Sequence, residues 1–120
     1  MVRCVSAPES TIARTPPPPY VAVIFTSLRT EGDLGYEATA ARMNELAAEQ
    51  PGYLGVESAR DGLGITVSYW RTEADAADWK RVLEHAEAQR LGRERWYAEY
   101  TVRIATVTRE YGGSSSTVNP

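Results

Sequence analysis

Near the middle of the chain, two strand-like runs meet at Asp61-Gly62-Leu63-Gly64, residues that tolerate the positive φ of a tight hairpin. Tyr53 to Arg60 alternates before it, with Leu54 and Val56 facing one way and Tyr53 and Glu57 the other. After it, Ile65, Val67 and Tyr69 mark one face of a run that ends at Trp70. Two adjacent antiparallel strands follow from that pattern. What lies outside them is nearly symmetrical, a helix and then a strand on each side, and this limits the chain to few topologies. Upstream, Tyr20 to Leu28 is rich in β-branched and aromatic residues and predicts a largely buried strand. From a plausible N-cap at Asp33, the positions Tyr36, Ala40, Met43 and Ala47, with Leu46 beside them, form one helical stripe that Pro51-Gly52 ends. Downstream, Thr72 and Asp75 read as a capping box opening a helix on which Ala76, Trp79 and Leu83 share a face. Helical composition continues to Leu91, and Gly92 is a weak point or break. Tyr100 to Tyr111 predicts a final strand whose apolar positions switch parity between Ile104 and Ala105, which a bulge there or burial on both faces would explain. The order β-α-β-β-α-β is the ferredoxin-like split motif, an α+β fold with an antiparallel four-stranded sheet and both helices on one face.

That domain takes residues 20–111. Residues 1–19 end in Pro16 to Pro19 and predict a Pro-rich leader, either disordered or an extended arm lying on a partner subunit; 112–120 open with Gly112-Gly113 and predict a flexible tail. About 90 residues are left to fold, and a domain of that size buries only roughly 60–65% of its chain's surface, so pairing with a second copy is expected to help. Thirteen basic and sixteen acidic residues, net −3, form no long run of either sign, which argues against nucleic acid as a partner. The single Cys4 has no internal mate, and no segment reaches the roughly 18–20 apolar residues of a membrane span. A soluble protein of a reducing cytoplasm, with neither signal peptide nor membrane anchor, is the expectation.

Against this frame, the segment Pro51-Gly52-Tyr53-Leu54-Gly55-Val56-Glu57 and, more specifically, Ser68-Tyr69-Trp70-Arg71-Thr72-Glu73-Ala74-Asp75 followed by Trp79 resemble the antibiotic biosynthesis monooxygenase family. Glu84 to Gln89, and Trp96-Tyr97 through Val102-Arg103-Ile104-Ala105, fit the same resemblance, which spans about residues 20–111. It implies a dimeric α+β barrel, in which the bare faces of two sheets pack together and each protomer keeps a pocket between its sheet and its own helices. It also implies a cofactor-independent monooxygenase acting on a small, apolar quinol-like or polyketide-like aromatic with O2, with no metal, haem or flavin. In such chemistry an activated substrate carbanion reduces oxygen itself. The protein then has to hold an aromatic, help remove its proton and stabilise the anion.

The resemblance places the candidate catalytic residues at Trp79, His85 and Arg103. Trp79 corresponds to a pocket-lining tryptophan, with a core position as its competing role. His85, the only histidine, stands six residues later, where related enzymes carry a pocket tyrosine. As an imidazole it can serve as a base, or it is a surface residue. Six residues turn about 240° around an ideal helix, so a face shared with Trp79 requires a break near Leu83-Glu84. Arg103, on the last strand, either holds an anionic oxygen or forms a structural ion pair. Tyr69, Trp96, Tyr97, Gln89 and Phe25 are candidate substrate-binding residues, the aromatic ones equally suited to core and interface. Trp70, at the end of its strand, suits an edge or dimer contact better than catalysis.

Two other functions share this fold. One is a non-catalytic dimer that binds a small apolar molecule. The other is haem degradation, which in the relatives uses an Asn on the first strand and a His ten residues after the helix tryptophan. Here position 89 is Gln, and the only asparagines are Asn44 and Asn119. Neutral Gln is a poor iron ligand. One histidine and one leader cysteine also argue against a His-rich metal site.

Overall fold

The computed structural model describes residues 12–29, 43–91 and 97–113, with side chains at all of these except 86–91, 97 and 98. The described elements are β1 (Tyr20–Arg29), β2 (Tyr53–Asp61), β3 (Leu63–Trp70), a long helix (Glu73–Leu91) and β4 (Tyr97–Val107). Residues 43–48 are also helical and carry the Met43, Leu46 and Ala47 part of the predicted first helix; we call them α1, and Glu73–Leu91 α2. Asp33, Tyr36, Ala40, Gly92, residues 1–11 and most of the predicted tail lie outside the described residues. The sheet order is β2-β3-β1-β4, with every neighbouring pair antiparallel. This is the ferredoxin-like arrangement expected from the order of elements.

Direct partners across an antiparallel ladder share a face, so the register sorts the side chains. On the α2 side, four rows cross the sheet from β2 to β4. They are Tyr53, Trp70, Val21 and Thr106; Val56, Ser68, Val23 and Ile104; Ser58, Thr66, Phe25 and Val102; and Arg60, Gly64, Ser27 and Tyr100. The first two rows hold the core, where Val21, Val23 and Trp70 pack with Ala47 of α1 and with Ala76 and Trp79 of α2. Ala76, Trp79 and Leu83 do share a face of α2, as their spacing predicts.

Several expectations are corrected. Tyr53 points the same way as Val56, not away from it, because Leu54 is an extra residue between the pairs Tyr53–Trp70 and Gly55–Tyr69 and flips the alternation. No bulge occurs at Ile104-Ala105. The register shift in β4 lies at its start, where Leu28 faces Glu99, Arg29 faces Tyr97, and Ala98 is the residue left over. The strand starts at Tyr97 rather than Tyr100 and ends at Val107 rather than Tyr111. Its last partner is Tyr20, and the preceding prolines lack the amide hydrogens to extend the ladder. Trp70 is neither an edge nor a surface residue: it is 0% exposed, stacked on Trp79 with ring centroids 5.7 Å apart and planes 25° apart.

At the start of α2, the Thr72 hydroxyl accepts a hydrogen bond from the Asp75 amide at 3.1 Å, the N-cap half of the predicted box. Gly52 turns with a φ of 83°, and a Cβ there would overlap the Asp75 carboxylate, so this loop and the helix start are fitted to each other. Thr72→Ala is expected to cost about 1 kcal/mol and lower the melting temperature by roughly 4–8 °C in a thermal scan, with Thr72→Asp close to the parent. An unchanged midpoint in the alanine variant would show that the cap contributes nothing.

Candidate functional site

The two halves of the α2-side sheet face differ in chemistry. Tyr53, Trp70 and Trp79 fill the first half with aromatic rings, and Tyr53 meets Trp70 edge-on at 5.7 Å. The Trp70 indole N–H donates to the Ser68 hydroxyl at 2.8 Å, which satisfies both buried polar groups. Trp79 itself is 4% exposed. This half is a packed core.

Along the third and fourth rows the face turns to hydroxyls, two aromatic rings and one cation. Phe25 and Tyr100 stack with centroids 5.4 Å apart and planes 30° apart, and Tyr100 is 40% exposed. Next to them Ser27 is buried, 2% exposed, and accepts a hydrogen bond from Arg60 Nη2 at 2.6 Å. Arg60 Nη1 also donates to the Gly62 carbonyl at 3.3 Å. Gly64 makes this pose possible, since a Cβ at that position would lie 2.2 Å from the guanidinium carbon. Ser58 and Thr66 complete the polar set. Hydroxyls and a guanidinium beside a partly open aromatic pair form a surface suited to a planar, oxygen-bearing molecule.

Most of the described residues singled out in the sequence are not gathered here. Phe25 is. Trp79 lies in the core of the neighbouring half. His85 is exposed on α2, which runs unbroken from Glu73 to Leu91, so the break that would bring it round to the face of Trp79 does not occur. Arg103 pairs with Ile24 and is exposed on the opposite side of the sheet, because alternation on β4 puts it out of phase with Val102. Tyr69 also lies on that opposite side, where its hydroxyl donates to Glu57 Oε1 at 2.7 Å; burial and that carboxylate raise its pKa above the usual tyrosine value. The side chains of Gln89 and Tyr97, and all of Trp96, lie outside the described residues.

Ser27, Arg60 and Tyr100 were missed, although a signal for two of them exists. Ser27 continues the core phase of Val21, Val23 and Phe25, and Arg60 continues that of Val56 and Ser58. A serine or arginine on the inward phase of a strand is the kind of buried polar residue that calls for explanation.

The sheet side facing away from α2 is also divided. One end is closed by part of the proline leader. There the Ala13 amide donates to Glu57 Oε2 at 2.9 Å, and Thr15 Oγ1 donates to Glu110 at 2.8 Å and lies 3.0 Å from the Tyr20 hydroxyl. The Tyr20 hydroxyl also donates to Glu110, an interaction that raises the tyrosine pKa and lowers that of the carboxylate. Tyr20 and Ala22 are buried beside this strap. At the other end Ile24 and Val67 are half-buried, while Leu28, Leu63 and Ile65 are 40%, 49% and 41% exposed. Several apolar side chains thus stand together on one open sheet face.

Fold and site together define a ferredoxin-like α+β protein whose sheet carries a core and a polar-aromatic patch on its helix side. The same fold is seen in SnoaB, a cofactor-independent oxygenase from Streptomyces nogalater, with a TM-score of 0.57 and 17% identity over 79% of this chain and 97% of that one. No family model matches the chain. Over 101 residues it is 52% identical to the uncharacterized protein YqjZ of Bacillus subtilis (strain 168), a match that covers 82% of this chain and 89% of the relative, and it belongs to the YqjZ family. No helix among the described residues is long and apolar enough to cross a membrane.

Proposed function

We infer that this protein is a cofactor-independent monooxygenase that acts, as a homodimer, on a small oxygen-bearing aromatic with O2. The observation that carries the reading is the Phe25–Tyr100 pair set among Ser27, Ser58, Thr66 and Arg60 on the helix side of the sheet. The fold shared with a cofactor-independent oxygenase supports the choice of chemistry.

An anthrone-type substrate loses a proton from its ring methylene to give a carbanion conjugated with the carbonyl. That anion transfers an electron to O2, the radical pair combines, and loss of water leaves the quinone. One oxygen atom ends in the new carbonyl and the other in water, with both hydrogens supplied by the methylene. Solvent water accepts the proton, and two tasks fall to the residues of this face. The protein holds the ring flat against Phe25 and Tyr100, and it stabilises the enolate oxygen with a fixed cation and hydroxyls in a site partly shielded from water.

Purified protein mixed with anthrone in air-saturated buffer is expected to form anthraquinone at least about 10²-fold faster than buffer alone. One O2 should be consumed per quinone, and removing oxygen should stop the reaction. No acceleration with anthrone or with a panel of hydroxylated anthrones and naphthols would sink the reading. One observation favours the alternative, a non-catalytic binding dimer: the candidate base His85 is exposed on the wrong side of α2, and Trp79 belongs to a filled core. Saturable binding of anthrone without turnover would decide for that alternative.

A further inference from the structure

We propose that two copies dock through the sheet face away from α2 with their two-fold axis lying across the strands, along the row of Ala59, Ile65, Thr26 and Thr101, so that Arg103 of each copy meets Glu99 of its partner. This deepens the homodimer of the proposed function and rests on it, but not on the oxygen chemistry.

Sheets that pack face to face sit about 10 Å apart with their strands within about 30° of each other. For two identical sheets, a two-fold axis then runs either along the strands or across them. The strap decides between the two. Residues 12–19 stand on one end of this face, where the Ala13 amide donates to Glu57 at 2.9 Å and Thr15 donates to Glu110 at 2.8 Å. Gly55 lies directly beneath, since a Cβ there would come within 2.9 Å of the Ala13 Cβ. An axis along the strands would lay strap upon strap and wedge the sheets apart at that end. An axis across the strands sends the two straps to opposite ends. Set on the row of Ile65, it carries each strap past the last row of the partner's face, beyond the hairpin at Gly62.

The side chains agree with that layout. A two-fold contact is self-complementary, so each strand lies over its own copy in reverse and the rows on either side of the axis exchange. On one side stand Glu57, Val67, Ile24 and Arg103; on the other stand Asp61, Leu63, Leu28 and Glu99. Val67 therefore meets the partner's Leu63, and Ile24 the partner's Leu28, while Ile65 opposes its own copy. Leu28, Leu63 and Ile65 are 40%, 49% and 41% exposed in the single chain, and the contact covers all three with apolar groups. At the β4 edge, Thr101 lies midway between Arg103 and Glu99, both of them exposed. Reversal about Thr101 puts each guanidinium opposite a carboxylate, once on either side of the axis. At the β2 edge Glu57 comes opposite the partner's Asp61, but the Glu57 oxygens are already turned to the Ala13 amide and the Tyr69 hydroxyl.

Exchanging the two charges tests the docking. In sedimentation equilibrium of the full-length protein, the parent is expected to form a dimer that loosens as salt rises. Arg103→Glu and Glu99→Arg each set like charges together on both sides of the axis, and each is expected to raise the dimer dissociation constant at least about tenfold. The double variant Arg103→Glu with Glu99→Arg restores opposite charges and should return to within about threefold of the parent. All three should keep the parent's circular dichroism, because both side chains are exposed in the single chain. Single reversals that leave the constant unchanged, or a double variant as weak as the single ones, would overturn this docking while leaving a dimer of some other layout standing. A parent that stays monomeric at every concentration would remove the homodimer itself, and this docking with it.

Discussion

Trp70→Ala is expected to remove about 3–5 kcal/mol of stability, the largest loss from any single truncation in the described core. Its ring is wholly buried, stacks on Trp79 and meets Tyr53 edge-on, and is the largest fully buried side chain in the cluster that joins the sheet to both helices. Alanine would leave a void between rigid neighbours, because β1 and β2 hold the backbone of β3 on both sides and prevent collapse. The indole N–H that now satisfies Ser68 would also be lost, leaving a hydroxyl that is 4% exposed without its donor. Since a domain of this kind has about 5–15 kcal/mol in total, a loss of that size takes roughly a fifth or more of it. In urea, the unfolding midpoint followed by far-ultraviolet circular dichroism should fall sharply, and the melting temperature should drop by more than about 12 °C. Trp70→Phe keeps most of the apolar volume and should recover over half of the loss. A drop below about 1 kcal/mol for the alanine variant would mean that this half of the helix side is hollow, and Trp79 would then return as a pocket residue.

How much of this was legible in the sequence depends on whether local rules or long-range packing decide a position. The hairpin at Gly62, the cap at Thr72 and the stripe of Ala76, Trp79 and Leu83 follow from local chemistry, and they stand as the spacing predicts. Facing directions on the strands were harder to read. One extra residue, Leu54, reverses the alternation of β2 at its start, and only Gly55, a glycine within a strand pattern, hints at it. In β4 the apolar residues Val102, Ile104, Ala105 and Val107 occupy both phases, so pattern alone does not say on which face Arg103 lies; the pairing with Ile24 does. His85 was placed by analogy to a pocket position that the helix geometry disfavoured from the start. Leu83 and Glu84 are good helix formers, and α2 continues through them. The polar-aromatic rows were hidden for a different reason. Ser27, Arg60 and Tyr100 are far apart in the chain and become one row only when the strands take the order β2-β3-β1-β4.

The second large effect is expected on the opposite face. If two copies pair there, Ile65→Glu should convert a sedimenting dimer into a monomer while leaving the protomer folded. In the isolated chain Ile65 is 41% exposed, in the row of Thr26 and next to those of Val67 and Leu63, so a glutamate there keeps contact with water and costs the monomer little. Pairing would change that environment, since the strap of residues 12–19 already closes the end near Tyr20 and Tyr69 and leaves the Ile24, Leu28, Leu63, Ile65 and Val67 end as the open apolar surface. A two-fold axis buries the substituted position twice. Losing roughly 2 kcal/mol of apolar burial at each copy, before any penalty for desolvating two like charges, weakens association by a factor of about 10³ or more. Sedimentation velocity at micromolar protein should therefore resolve a dimer for the parent and a monomer for the variant, with unchanged circular dichroism. Ile65→Val should remain dimeric, which separates the effect of charge from that of substitution at this site. A parent that sediments as a monomer at those concentrations would refute pairing through this face, and a variant that stays dimeric would move the contact elsewhere on the molecule.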